Sequence, residues 1–425
     1  MSRVLFLALG EEEVQADRYI SQLMEREGHS CRVLTWLPRL AGSGVESLYR
    51  AAGEASNRGD DLARAAGFAD AAFVPHYDRD WHFAPANSRR THGRSVLSIA
   101  DEVLREWKPD VLVSAVGGET LRVAFDALAK SRDIRRVYYN AIPLNGRFVL
   151  LPEMSSPFVP FPGTEGYRPG TEPFTDLSEQ PLPPFKNKLQ SPRQEPIIRA
   201  AEVTIKNRGI YPRGWYSKKV VWTLREAVLR RIPTTSGKPK PNETNVVYPM
   251  HDERDFQVAV RERHAIPQVH FLRYLSTTLP VGHRLWIKPH PHHLSSHHNV
   301  ILREVADLPN VSFLPPRMHF SEAIDLADVI LTLASTMGFE ALKRGKPVVC
   351  YGTPFYSGYG LTTDVKDPRD IANAILDAQP ADPAGVERLL ARMEEFSWPG
   401  QFTPLDLSPD NLQLLQRGIL DVIDS

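Results

Sequence analysis

Residues 329–351 read VILTLASTMGFEALKRGKPVVCY. The apolar run Val329–Leu333 has the composition of a buried strand, and Ala334-Ser335-Thr336 supplies small and hydroxyl side chains where a helix can start. Met337–Arg344 then carries helical spacing, Gly345 stops it, and Val348–Tyr351 is apolar again. A helix of that length between two buried strands forces them to run parallel, so this stretch predicts an α/β sheet with helices on its faces.

Upstream the alternation continues. Val246–Tyr248, Arg284–Lys288 and Val311–Phe313 read as strands, and Pro267–Thr278 and Ser321–Ala327 as helices. A separate alternation occupies the N-terminal part. Val4–Leu9 is a strand, Val14–Arg26 a helix closed by Gly28, and Cys31–Trp36 a strand. Val96–Trp107 and Thr120–Lys130 are helical around the strand Val111–Val116, and Val137–Asn140 is a further strand. Residues 41–94 are polar and carry no clear period. A chain of 425 residues exceeds what one core supports, so two domains are expected.

Proline crowds residues 152–195 and prevents lasting helix or central strand there. From Arg199 to Lys240 basic residues dominate, and Val220–Leu229 can form an amphipathic helix carrying Trp222. That segment suits an anionic lipid surface, an anionic acceptor, or a solvated helix between domains. The expected division is an N-terminal Rossmann-like domain over 1–195, a basic segment over 196–243, and a C-terminal Rossmann-like domain over 244–400. A helix over 401–425 is expected to pack back on the first domain.

Lys plus Arg total 51 against 51 Asp plus Glu, which removes a whole-molecule argument for nucleic-acid binding. The two cysteines, Cys31 and Cys350, sit in apolar runs and read as buried free thiols in a reducing cytoplasm. Val4–Leu9 is too short and wrongly flanked for a signal peptide, and no run reaches the about 18 apolar residues needed to span a bilayer. Any membrane association is therefore expected to be peripheral, at the inner face.

Ligands in open α/β sheets bind beyond the carboxyl ends of strands. Three such ends stand out. Lys288-Pro289-His290-Pro291 follows one strand, and its prolines hold His290 in a fixed direction. Ser335-Thr336-Met337-Gly338 follows another and offers hydroxyls and helix-start amides, with Glu340 one turn on. Tyr351-Gly352-Thr353-Pro354 follows a third. Alone, Ser335-Thr336 is an ordinary N-cap and His290 a turn histidine. A histidine and a hydroxyl-bearing helix end on neighbouring strands, however, would grip a phosphate without metal, leaving Glu340 to accept from ribose hydroxyls.

Those residues carry a resemblance. His251-Asp252-Glu253-Arg254-Asp255-Phe256-Gln257, Lys288-Pro289-His290-Pro291, Ser335 through Leu342, Gly345-Lys346-Pro347-Val348 and Tyr351 through Tyr356 resemble the bacterial capsule-polysaccharide biosynthesis and export family, which includes Kdo transferases. The His-Pro and Ser/Thr motifs are also similar to those of bacterial sialyltransferases, where they hold the cytidine monophosphate half of the donor. Where that family has Asn before the Ser-Thr pair, this chain has Ala334, which leaves the pair intact and changes the contact beside it. The resemblance implies a GT-B fold, two Rossmann-like domains facing a central cleft. It further implies a donor held in the C-terminal domain by Lys288, His290, Ser335, Thr336, Gly338, Glu340, Tyr351 and Gly352, with no metal and no cofactor beyond a nucleotide-sugar co-substrate.

Transfer also needs a carboxylate acting as base or nucleophile. Glu119 follows the strand Val111–Val116 and the pair Gly117-Gly118, and Arg122, three residues on, lies on the same helical face, where it could bind an anionic sugar or acceptor. The alternative for Glu119 is a carboxylate that only complements its helix dipole. Arg147 and Glu153 follow the next strand and are secondary candidates. The histidines between 290 and 298 lack a ligand spacing for zinc, and Asp78-Arg79-Asp80 matches DxD without a preceding apolar strand. The expected function is transfer of an acidic sugar from a CMP donor to a glycan or lipid-linked acceptor. UDP- or CDP-dependent transferases or epimerases on the same fold, and a non-catalytic assembly or export component, are the alternatives.

Overall fold

The computed structural model describes residues 1–49, 58–81, 84–155, 215, 218, 221, 239–253, 255–262, 265–290, 301–316, 318–402 and 406–425. The chain divides into two units, Met1–Lys219 with Arg392–Ser425, and Val220–Ala391.

In the first unit β1 is Arg3–Leu7, α1 Glu11–Arg26, β2 Ser30–Thr35 and β3 Val45–Ser47. Next come α2 (Arg58–Ala65), α3 (Ala86–Trp107), β4 (Val111–Ala115) and α4 (Thr120–Lys130). Strands β5 (Arg135–Ala141) and β6 (Arg147–Leu151) follow. In the second unit, β7 is Thr244–Pro249, α5 Gln268–Thr278, β8 His283–Lys288 and β9 Val311–Phe313. Then come α6 (Phe320–Leu326), β10 (Val329–Thr332), α7 (Thr336–Lys343), β11 (Val348–Cys350) and β12 (Thr363–Asp364). Helices α8 (Ile371–Asp377) and α9 (Pro383–Glu395) lead to β13 (Trp398–Pro399) and α10 (Pro409–Asp424).

The first sheet has the order β13-β6-β5-β4-β1-β2-β3 and the second β12-β11-β10-β7-β8-β9. Pairing is parallel throughout except for β6 against β5 and β13 against β6. Alternation along β1 shows why its whole run is apolar. Val4 and Phe6 pack on the face covered by α1 and α10, whereas Leu5 and Leu7 pack under α2, α3 and α4. In the second unit Val246, Tyr248, Leu285 and Ile287 meet Phe271, Leu272 and Leu275 of α5 and Ile371 and Ile375 of α8. No helix among the described residues is long and apolar enough to cross a membrane.

Several expectations are corrected. The third helix begins at Ala86 rather than Val96, because the polar stretch before it packs on a 3-10 turn, Ala71–Tyr77, through Gly93. Residues 392–400 belong to the first unit, not to the C-terminal domain. Trp398 pairs with Phe148 of β6, is 3% exposed, and its indole nitrogen donates to Asp421 of α10. Arg147 serves this same edge rather than a ligand, since it donates to the Ser397 hydroxyl and to the carbonyls of Glu394 and Ser397. Glu153 pairs with Lys130 and Arg136. Nearly all of the proline-rich and basic stretches from 156 to 238, with Trp222, and the histidine-rich stretch 291–300 lie outside the described residues.

Replacing Trp398 by Ala would leave a cavity between Phe148, Gly418 and Leu415, at a cost of about 3–5 kcal/mol. Urea unfolding of W398A checks this; a loss below ~1 kcal/mol would mean that this edge strand does not hold the first unit's core together.

Candidate functional site

In each sheet the strand order reverses once. From β7 the chain builds outward through β8 and β9, then returns to place β10 on the other side of β7. Loops leaving the carboxyl ends of β7 and β10 therefore diverge, and the crevice between them is where such sheets bind ligands. The residues there are His251 and Asp252 after β7, and Leu333 through Thr336 after β10.

This arrangement corrects one reading. His290 follows β8, and β7 stands between β8 and β10, so His290 and Ser335 are not on neighbouring strands. The imidazole against the helix start is that of His251, whose Nε2 accepts from the Ala334 amide at 3.3 Å. His251 is held from behind by Gln268, whose carboxamide accepts from the His251 amide at 2.9 Å and donates to its carbonyl at 2.7 Å. Gln268 itself is 2% exposed and also receives the Tyr248 hydroxyl. A π-helical turn, Gln257–Arg261, follows this loop, a distortion that often marks functional positions.

The donors at the start of α7 are mostly spent. Ser335 is the N-cap, its Oγ accepting from the Met337 amide, and its own amide donates to Thr332 Oγ1 at 3.0 Å. Thr336 is exposed, and its amide and hydroxyl have no partner among the described residues. Those two groups, with the Ser335 hydroxyl proton, are what the helix start offers an anion.

The remaining predicted residues have mixed fates. Gly338 is demanded by Tyr356, since a Cβ there would lie 2.2 Å from its hydroxyl, which donates to the Ser335 carbonyl. Gly352 passes so close to β10 that a Cβ would lie 2.1 Å from the Leu333 carbonyl, and the next residue, Thr353, gives its amide and hydroxyl to the buried carboxylate of Glu262. Tyr351 stacks on Phe271 with centroids 5.0 Å apart. Glu340 pairs with Lys343 at 3.0 Å. Lys288 is 6% exposed and donates to the Pro316 carbonyl, with burial lowering its ammonium to about 8. Sequence reasoning missed Gln268, Glu262 and the role of His251, although His251 carried part of the resemblance.

The first sheet has its reversal between β1 and β4. There the guanidinium of Arg122, 3% exposed, is gripped on all three nitrogens: Nε donates to Ser114 Oγ at 3.1 Å, one terminal nitrogen to Glu119 at 2.7 Å and the other to Glu13 at 2.6 Å. Arg122 is thus engaged within the fold and not presented to an anionic sugar, which corrects the expectation for it. Glu13 in turn accepts from the Leu9 and Gly10 amides at the end of β1. Gly117 lies directly beneath, and a Cβ on it would come within 2.0 Å of Glu119 Oε2. Burial pushes the Glu119 carboxyl up, the Arg122 charge pulls it down, and the balance lies below the ordinary carboxylate value. With 42% of its side chain exposed, Glu119 is the ionised group that this crevice presents.

Comparison with known proteins agrees with the second unit. Residues 202–384 match the family described as capsule polysaccharide biosynthesis protein. That match spans less than half of the chain. It is 31% identical over 131 residues to the capsule polysaccharide modification protein LipA of Neisseria meningitidis serogroup B, covering 30% of this chain and 18% of that protein. It is 39% identical over 79 residues to the lipopolysaccharide-processing protein LpsZ of Rhizobium meliloti, covering 18% of each. The aligned region thus spans about a fifth of these curated relatives. Among solved structures, KpsC of Thermosulfurimonas dismutans, a beta Kdo 2,7 transferase, aligns with a TM-score of 0.36 and 15% identity, covering 76% of this chain and 89% of that one.

Beside Glu119, Asp78 closes α4 from below. Its Oδ2 accepts from the Thr120 amide and hydroxyl at 2.9 and 2.8 Å, and its Oδ1 from the Asp80 amide, so Asp78 caps the start of α4. Burial, and then repulsion from Asp80, raise its carboxyl to about 6. An acid whose folded value exceeds its unfolded value of about 3.9 takes up a proton on folding. Its favourable contribution is therefore complete below pH ~4 and is lost as pH rises through ~6. The stability of the native protein minus that of D78N is expected to fall across this interval in urea titrations; a difference constant with pH would show that folding does not raise the Asp78 pKa.

Proposed function

We propose that this chain is a metal-independent glycosyltransferase of the GT-B type. Its donor is a nucleotide sugar, an acidic sugar such as Kdo or sialic acid carried by CMP, and its acceptor a glycan or lipid-linked glycan of surface or capsule polysaccharide. The observation that carries the reading is the start of α7 at the strand-order reversal. The unspent amide and hydroxyl of Thr336 and the Ser335 hydroxyl lie on a helix N-terminus whose preceding amide is tied to His251. Such a constellation stabilises negative charge as it develops on a leaving phosphate, because the donors are fixed before the reaction and need no reorganisation. His290 then belongs to the rim of the site, beyond β8.

Glu119 is the carboxylate proposed to act on the sugar or the acceptor. Its depressed pKa favours a group that is ionised when substrate arrives, a nucleophile or an electrostatic partner of a developing cation, over a general base, which is most effective with a pKa near the operating pH. The CMP donor and the metal independence rest on the family resemblance of the Lys288–Pro291 and Ser335–Leu342 motifs. A peripheral location at the inner membrane face rests on the basic composition of residues 199–240.

Thermal unfolding with CMP, CDP and UDP tests the donor. The matched nucleotide should raise Tm, and H251A and T336A should each weaken its binding by about tenfold, the equivalent of one lost charge-assisted contact. Failure of every nucleotide to raise Tm would remove the reading. With the matched donor, E119Q should bind nucleotide as the native protein does and lose turnover by at least about 100-fold. Activity should survive EDTA. A protein with no turnover to lose would instead be an assembly component.

A further inference from the structure

We propose that Glu13 and Arg122 are positioning residues that together fix the orientation of Glu119 at the reversal between β1 and β4. The inference rests on the role of Glu119 given above and extends it to two groups that do not themselves meet substrate. Arg122 is buried and its guanidinium fork is divided between two carboxylates and one hydroxyl. Each partner comes from a different place in the fold: Ser114 from β4, Glu119 from the N-cap of α4, and Glu13 from the first turn of α1. Ser114 is anchored in turn, donating to the Leu7 carbonyl of β1 at 3.1 Å. A single side chain thus ties both strands and both helices of the crevice to one carboxylate.

Geometry leaves Glu119 little choice. Its Oε2 is taken by Arg122, Gly117 closes the space below, and its other oxygen has no side-chain partner among the described residues. A planar fork holding one oxygen of a carboxylate sets the direction of the second, which a lysine at the same site would not do. Glu13 competes with Glu119 for the same cation, and so determines how much of the Arg122 charge reaches Glu119. The charged and titratable groups around the pair are Arg79 and Asp78 from the loop before α3, and Asp17 with Tyr139 on the far side of Arg122.

The two partners therefore act on Glu119 in opposite senses. Removing Arg122 removes its attraction, which raises the Glu119 pKa. Neutralising Glu13 leaves Arg122 with one carboxylate partner and lowers it. The acid limb of the kcat/KM profile, measured with the matched donor, should move to higher pH in R122M and to lower pH in E13Q. R122K should keep the limb near its native position while kcat falls, because charge is retained and the fork is lost. E13Q and R122K keep polar groups in the buried site, so the test stands even where R122M fails to fold.

The same ordering is to be read without turnover, by titrating the side-chain carboxyl of Glu119 in 13C-glutamate-labelled protein, assigned by its loss in E119Q. Opposite shifts in both experiments establish the proposal. Opposite carboxyl shifts in a protein that transfers no sugar would keep the positioning role and overturn the transferase reading. Equal or like-signed shifts in R122M and E13Q would overturn the positioning role itself.

Discussion

A parallel sheet that grows to one side of its opening strand and then to the other must part its loops at the reversal. At that point backbone amides and helix starts face solvent rather than one another. Both units of this chain contain such a reversal, beside β1 in one and beside β7 in the other, and the groups able to do chemistry gather there. The crevice is a consequence of strand order, and the side chains within it are the means by which each unit holds its parted loops in register.

The two units solve that problem with different chemistry. Beside β1 the closure is ionic, one guanidinium between two carboxylates, and only one of these, Glu119, has substantial exposure. Burying Arg122 is tolerable because every nitrogen has an acceptor and both carboxylates outweigh the cost of lost hydration. Beside β7 an imidazole accepts one amide, while the amide and hydroxyl of Thr336 stay open. The first crevice presents a carboxylate and the second presents hydrogen-bond donors.

Glycines set how closely these elements approach. At Gly117, Gly338 and Gly352 any Cβ would collide with Glu119, Tyr356 or the Leu333 carbonyl. None of the three has a left-handed backbone, so their requirement is space rather than conformation. The consequence is a set of contacts around the start of α7, the hydrogen bond from Tyr356 to the Ser335 carbonyl among them.

Much of this was legible in the residues themselves. Uninterrupted apolar runs such as Val4–Leu9 and Val329–Leu333 can satisfy both faces only inside a parallel sheet, and the N-cap at Ser335 and the carboxylate at Glu119 follow from local backbone chemistry. Strand order is different, because it depends on which side of β7 the returning chain packs, and no local pattern encodes that choice. So His251, not His290, came to lie against the helix start. Glu13, which in sequence only ends an apolar run, became a partner of Arg122 from 109 positions away, and Arg147 found Ser397 across 250. Local propensity and burial determined the elements, while the packing of distant elements decided which polar groups meet, since a buried charge takes whatever partner the assembled fold brings within reach.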